Sequence, residues 1–464
     1  MISYPFPPVG GSPVQRPAKL ARYLPDGGWS VEVLTAGHRR FDSFDETLLS
    51  DIPADVRVHR VPGYEPACLA DNIASLMKPL WGSGHNRLDD AAWSIPWLTD
   101  RLYWRLVRLT NRLGRGNGEE AWVRPAVQAA LNRHRQQPFD VVISTGPPHF
   151  VHRVARQIAA RTGLPWVADL RDPLVSDFDR SPANQRRLDT MRRLEREIMA
   201  HAAQIVATSP SLSEDLRQRY PRRANAIETI TNGFDREDVA ALLDPEGRPA
   251  TKEPPCTFVA MGSFYGRREI ARLVHPLQRV LDRQPSWNGR IRLIIAGSID
   301  AEQRRYWAGR IPEWLTFTGY LDHAAALRLA ASSTCNVVVV PDCRHGHMSI
   351  PAKTYELLAL PTHLLALVPP GSDTERIVRE CAAVSIAPFE DGERVAETME
   401  TIIETSMEGS LAARRDWATI DRYDRCVLAA WFGAVLDKAC GRTGDDETKL
   451  DSKAASDSRR LEVA

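Results

Sequence analysis

Short, near-continuous apolar runs separated by helix-patterned stretches are the feature that most constrains this chain. The runs are Val31–Thr35, Val56–Val61, Val141–Thr145, Trp166–Leu170 and Ile205–Thr208, then Thr257–Met261, Ile291–Ala296, Leu315–Thr318, Val337–Val340 and Leu364–Val368. Between most of them lie amphipathic segments such as Phe150–Thr162 and Ala324–Ser332. Strands this apolar need cover on both faces, as in parallel sheets wrapped by helices. Ten of them exceed one ordinary sheet. The expected fold class is therefore α/β, with two doubly wound units.

The length of 464 residues suits two large domains. The segment 235–255 follows the turn pair Asn232-Gly233 and carries five prolines and glycines with little apolar content, so it reads as the boundary. An N-terminal domain of 1–235 and a C-terminal one of 236–440 are expected. A last helix at about 411–440 would pack wherever its apolar face is needed, and the polar, aperiodic residues 441–464 read as a disordered tail. With 43% hydrophobic and 26% charged residues, the composition is that of a soluble globular protein. No apolar run is long enough to span a membrane, and the start, Met1-Ile2-Ser3-Tyr4-Pro5, lacks the pattern of a secretory signal. Seven cysteines without a CxxC pair point to reduced thiols in the cytoplasm and against a zinc site. A net charge of +1 gives no reason to expect nucleic acid as a partner.

Residues 65–125 break the rhythm of strand and helix. Within Trp97–Leu113, Arg101, Arg105, Arg108 and Arg112 form one stripe, and Leu102, Leu106, Leu109 and Leu113 form a second beside Trp97, Trp104 and Val107. Such a helix suits an anionic membrane surface, and equally a helix packed on its own domain with a solvated arginine face.

Ligands of doubly wound sheets sit beyond the carboxyl ends of strands, at helix N-termini. Gly10 and Gly11 precede a helix expected to open near Gln15–Pro17, and fit either a tight turn or a backbone that approaches a ligand. Gly262-Ser263 and the pair Arg267-Arg268 hold the matching place in the second half, where guanidinium groups suit a diphosphate. Ser349-Ile350-Pro351-Ala352-Lys353 opens a further helix whose backbone donors would face a phosphate. Glu356, one turn later, would accept from the hydroxyls of a ribose or merely stabilise the helix start. At the strand end Asp169-Leu170-Arg171-Asp172, the charges either lock one another or face a substrate. His149 and His152 are spaced poorly for zinc, with no third ligand evident. No acidic cluster for Mg²⁺ stands at a convincing strand end.

Together these stretches resemble the GT-B glycosyltransferases, specifically the family-4-type enzymes that use nucleotide sugars. The resemblance covers nearly all of residues 1–440 and rests on eight elements in order: YPFPPVGGSPVQRPAKLARYL, ISTGPPHFVH, PWVADLRDP, IVATSPSL, ITNGFD, VAMGSFYGRR, TFTGYLDHAAALRLAASS and SIPAKTYELLAL. It implies two facing Rossmann-like domains with a cleft between them, the donor held mainly by the C-terminal one, and a final helix that crosses back.

By position, Glu356 looks like the ribose-binding glutamate, Arg267 or Arg268 like the cation facing the pyrophosphate, and Ser349–Lys353 like the helix start near the distal phosphate. Gly10 and Gly11 would close over the donor, with Gly262 and Ser263 beside it. Arg171 and Asp172 occupy a strand end where many members carry a histidine, while His149 and Ser209 fall on the acceptor side. Met348 stands where most relatives have a glutamate that contacts the transferred sugar, and relatives usually have apolar residues before the equivalent of Ile2. The resemblance further implies retention at the anomeric carbon without a metal or bound cofactor. It also implies a glycan or lipid-linked acceptor and a role in cell-envelope polysaccharide assembly, cytoplasmic or peripheral on the membrane. A sugar-nucleotide epimerase and a non-catalytic scaffold share the fold and are the rival readings.

Overall fold

The computed structural model describes residues 1–37, 41, 43–62, 118–175, 185–242, 256–411 and 414–442. The expected basic helix Trp97–Leu113 and the tail beyond Arg442 lie outside the described residues, as do 243–255 of the expected linker.

Twelve strands are described: β1 Glu32–Ala36, β2 Arg57–Val61, β3 Val142–Gly146, β4 Trp166–Leu170, β5 Gln204–Ala207, β6 Ile227–Thr229, β7 Cys256–Met261, β8 Ile291–Ala296, β9 Leu315–Gly319, β10 Cys335–Val339, β11 His363–Leu367 and β12 Val384–Ala387. Every pairing among them is parallel. In the N-terminal half, Ile2 bridges Leu34 on one side and Ser144 on the other. Residues at the chain start thereby join β2-β1 to β3-β4-β5-β6 in one sheet. The second sheet runs β12-β11-β10-β7-β8-β9.

Alternation along each strand explains why these runs are apolar throughout. Ala168 and Ile205 point into one cluster of buried side chains, while their neighbours Val167 and Val206 point into another on the opposite face. In the second sheet Phe258, Leu293 and Val337 face one cluster, and Val259 and Val338 face the other. Successive side chains of a strand alternate between faces, so a sheet with helices on both sides needs apolar residues at every position.

Two strands, β6 and β12, escape the sequence reading because Ile-Glu-Thr and Val-Ser-Ile-Ala are short and half-polar, as suits sheet edges. The first helix spans Ser12–Tyr23 and starts directly after Gly11, several residues before the expected opening. The expected continuous helix at 411–440 is broken into Trp417–Ile420, a turn at Asp421–Tyr423, and Arg425–Ala439. The side chain of Asp424 accepts from the Cys426 amide at 2.9 Å and so starts the last helix afresh. Ile420 packs in the core of the second sheet, whereas Leu428, Phe432 and Leu436 pack with Phe6, Leu20 and Val167 under the first. Between them the chain is pinned to Phe234 by Phe234 N–H to Tyr423 O (3.0 Å) and Arg425 N–H to Phe234 O (2.9 Å). The last segment therefore fastens both sheets together.

Candidate active site between the two sheets

The carboxyl ends of β3 and β4 form one wall. Asp169, the charged residue inside the otherwise apolar β4, is fully buried. Arg16 of the first helix satisfies it with Nε and Nη2 donors at 2.8–3.1 Å, and Thr145 adds a hydroxyl at 2.6 Å. Arg16 also donates to the carbonyls of Thr231 (2.6 Å) and Ile230 (3.0 Å). This fork fixes the helix that follows Gly10 and Gly11 against the sheet edge.

The expected lock among Asp169, Arg171 and Asp172 is not formed by hydrogen bonds. Arg171 instead donates to the carbonyls of Pro13 and Pro147, because Arg16 already fills Asp169. Burial pulls the Arg171 guanidinium down to about 10. Asp172, next along, is left to face the cleft, where burial pushes its carboxyl up against the pull of His345, Arg171 and Arg268. His149 stands in the loop before the helix Val151–Thr162, with its buried Nδ1 lacking a hydrogen-bond partner. Burial, reinforced by Arg171, Arg187 and His345, holds His149 down to about 3, so it is neutral. His152 is turned inward on Ser144 Oγ (2.8 Å), which makes it a core residue.

The opposite wall comes from the second sheet. After β7 the chain enters Gly262 at φ 116°, and Ser263 accepts from Ser298 Oγ at 2.9 Å. Arg267 is exposed to solvent, whereas Arg268 is half-buried and reaches toward both Asp172 and Lys353. Of the adjacent arginines, the geometry brings Arg268 to the cleft. The short helix Lys353–Ala359 begins at Lys353, with Pro351 and Ala352 forming the turn that leads in and Ile350 buried beneath. Lys353 Nζ donates to the Met261 carbonyl. Burial, with Arg268 nearby, lowers its ammonium to about 7.

Glu356 is buried, and His323 Nε2 (3.0 Å) and Arg425 Nη2 (2.9 Å) both meet its Oε1. Burial opposes ionisation, yet His323 and Arg425 hold the carboxyl down to about 2. The same network continues through Arg425 to Asp235 (3.8 Å) and from Asp235 to the buried Lys19 (2.5 Å).

Several contacts cross the cleft. Tyr320, just after β9, sets its hydroxyl against Gly10, Gly11 and Ser43, so a Tyr ring of the second sheet lies on the glycine turn. Asp45 accepts from the His323 amide at 2.9 Å. Ser209, which caps the helix Pro210–Arg219, donates to the Met348 carbonyl at 2.5 Å. Met348 itself packs against the core of the first sheet, and Ser349 O accepts from Thr374 Oγ1 at 2.9 Å. Ser209 and Met348 thus serve the seam between the walls.

Sequence reading missed Arg16, His323, His345 and Arg425. Asp169 offered the one available signal, since a charge inside an apolar strand requires a partner. Nothing local marks Arg425, which is 69 residues from its partner Glu356. Among the described residues no group of three or more His, Cys, Asp and Glu side chains could hold a metal ion, and no helix is long and apolar enough to cross a membrane.

Comparison with known proteins bears on this architecture. Residues 11–233 match the family described as glycosyl transferase 4-like domain. A phosphatidyl-myo-inositol mannosyltransferase of Mycobacterium tuberculosis is 25% identical over 280 residues, covering 58% of this chain and 68% of that protein. Among solved structures, sucrose-phosphate synthase from Thermosynechococcus elongatus superposes with a TM-score of 0.65 at 16% identity, over 95% of this chain and 98% of that one. HepE of Anabaena, solved with UDP and glucose, superposes with a TM-score of 0.57 at 14% identity, over 94% and 99%. Two facing Rossmann-like sheets with a cleft between them are the GT-B fold shared by glycosyltransferases, and residues 11–233 of this chain match the glycosyl transferase 4-like domain.

Proposed function

We propose that the protein transfers a hexosyl group from a nucleotide-diphosphate sugar to a glycan or lipid-linked glycan acceptor, with retention and without a metal. The observation that carries this reading is that Arg268 lies near both Lys353 of its own wall and Asp172 of the opposite one. A diphosphate set between these two cations would leave its sugar pointing at the first sheet. The acceptor would then enter past His149 and Arg171. The mannosyltransferase relative, whose name includes a phosphatidyl-inositol, supports a lipid-linked acceptor, and HepE, solved with UDP and glucose, supports a nucleotide-sugar donor. A place in envelope polysaccharide assembly, on the cytoplasmic side and peripheral to the membrane, accords with both.

The chemistry follows from charge. As the bond from the anomeric carbon to the diphosphate breaks, negative charge grows on the leaving oxygens. Arg268 and a protonated Lys353 meet that charge from fixed positions, which stabilises the transition state more than the ground state. Lys353, pulled down to about 7 by burial and Arg268, is held protonated by the charge of a bound diphosphate. Glu356, kept ionised by His323 and Arg425, accepts from ribose hydroxyls. The contacts of Tyr320, Asp45 and Ser209 across the seam hold the walls closed, which excludes water and aligns the acceptor hydroxyl.

The test is calorimetric titration with UDP-, GDP-, ADP- and dTDP-linked sugars, followed by transfer assays with lipid-linked glycans. Micromolar binding of one donor is expected, weakened about 10- to 100-fold in Glu356→Ala by the loss of charged hydrogen bonds. No binding across the panel would overturn the reading. Binding without transfer to any acceptor would favour a scaffold, a reading to which Met348 at the seam lends support.

A further inference from the structure

Glu356 belongs to the wall of the second sheet, yet the guanidinium on its carboxylate comes from the segment seated on the first. Arg425 opens the helix Arg425–Ala439, whose Leu428, Phe432 and Leu436 pack under the first sheet. Its Nη2 donates to Glu356 Oε1 at 2.9 Å, and the two side chains keep 8% and 10% of their surface exposed. The other terminal nitrogen, Nη1, has no hydrogen-bond partner among the described residues. It stands 3.8 Å from Asp235 Oδ2, beyond a hydrogen bond but within the attraction of buried charges. Arg425 is thus held between two carboxylates, one at the proposed ribose site and one where the chain leaves the first sheet.

Asp235 is fixed in turn by the first helix, Ser12–Tyr23. Lys19 Nζ lies 2.5 Å from Asp235 Oδ2, and the Tyr23 hydroxyl donates to Oδ1. These two residues stand one turn apart and so present their side chains on the same face. Lys19 is itself buried, and Asp51 (2.9 Å) and Asp238 (3.4 Å) complete its surroundings, as a buried ammonium requires. The opposite end of this helix follows the Gly10-Gly11 turn and is forked onto Asp169 by Arg16. The helix therefore cannot shift freely, and neither can the carboxylate it grips. A row of buried charges, Lys19, Asp235, Arg425 and Glu356, runs from the first helix to the donor wall. Of these, Glu356 alone is placed to touch a nucleotide. His323 and Arg425 both meet its Oε1, so the stand of Arg425 decides how the carboxylate is turned.

We infer that Asp235, fixed by Lys19 and Tyr23, is a positioning residue for the donor site: it holds Arg425 and, through Arg425, sets the Glu356 carboxylate for the ribose. Nucleotide affinity at the second sheet is then governed in part from the first helix, by residues that never meet the nucleotide. This inference rests on the donor site proposed above.

The experiment is a double-mutant cycle on the full chain, read by calorimetry with UDP, GDP, ADP and dTDP, the tightest of which carries the comparison. Asp235→Asn should weaken its binding about 3- to 30-fold in the wild-type background. In the Glu356→Ala background the same substitution should change affinity by no more than about twofold, because the carboxylate it positions is gone. Arg425→Met should match Glu356→Ala, and Arg425→Lys, which keeps the charge, should restore part of the loss. Loss of fold is controlled by the paired variant Lys19→Met/Asp235→Asn. It removes one charge of each sign, so it should melt above Asp235→Asn while binding the nucleotide as weakly. If Asp235→Asn leaves wild-type affinity unchanged, or weakens binding equally in both backgrounds, the inference falls alone. If the wild type binds none of the four nucleotides, or Glu356→Ala binds as tightly as the wild type, the donor site falls and the inference with it.

Discussion

Arg16→Met is the substitution whose cost can be worked most directly from the structure. Arg16 and Asp169 keep only 9% and 0% of their side-chain surface exposed. The substitution strips Asp169 of every Arg16 donor, leaving it Thr145 Oγ1 alone, and it frees the carbonyls of Ile230 and Thr231. Removing one partner of a buried ion pair costs about 3–5 kcal/mol, because the remaining charge stays desolvated. For a domain of this size each kcal/mol lowers the melting temperature by about 2–4 °C, so the N-terminal transition should fall by roughly 6–20 °C. Differential scanning calorimetry reads this directly, and urea titration gives the free energy at fixed slope. The double variant Arg16→Met/Asp169→Leu should recover most of the loss, since no charge is then left buried. A loss below about 1 kcal/mol, the worth of an exposed pair, would refute the view that this fork anchors the glycine turn to the sheet.

Two further perturbations bear on the donor wall. Burial, with Arg268 nearby, pulls the Lys353 ammonium down to about 7. Affinity for a nucleotide sugar, which itself does not titrate there, should therefore fall by up to tenfold per pH unit above about 7. Lys353→Met should bind weakly with no such slope, and a wild-type affinity that is flat from pH 6 to 9 would sink the assignment. The sign for stability is opposite: between about 7 and 10 the unfolded lysine keeps a proton that the folded one sheds, so this group adds stability as pH rises. Gly297 lies at φ 142°, and a Cβ there would strike the Gly262 carbonyl. Gly297→Ala should cost about 1–3 kcal/mol in a melt and displace Gly262 from Lys353, weakening donor binding as well; an unchanged melt would count against it.

The local sequence determined ten of the twelve strands described. Runs such as Val-Val-Ile-Ser-Thr and Ile-Arg-Leu-Ile-Ile-Ala are apolar because both faces of their sheets are covered, and that is a property of the strand itself. Gly262 was legible as a glycine directly after an apolar strand, and its φ of 116° is one that favours glycine. The edge strands β6 and β12 were not, since half-polar short segments carry no period to read.

The partners were decided by tertiary structure alone. Arg16 meets Asp169 across 153 residues, His323 meets Glu356 across 33, and Asp172 faces His345 from the other sheet. Arg268 rather than Arg267 enters the cleft because the turn after Gly262 aims one side chain inward and its neighbour into solvent. Periodicity specifies which face a residue presents to its own sheet; it carries no information about what the opposite sheet brings to meet it. The polar geometry of this cleft belongs to the docking of two sheets, each of which the sequence describes separately.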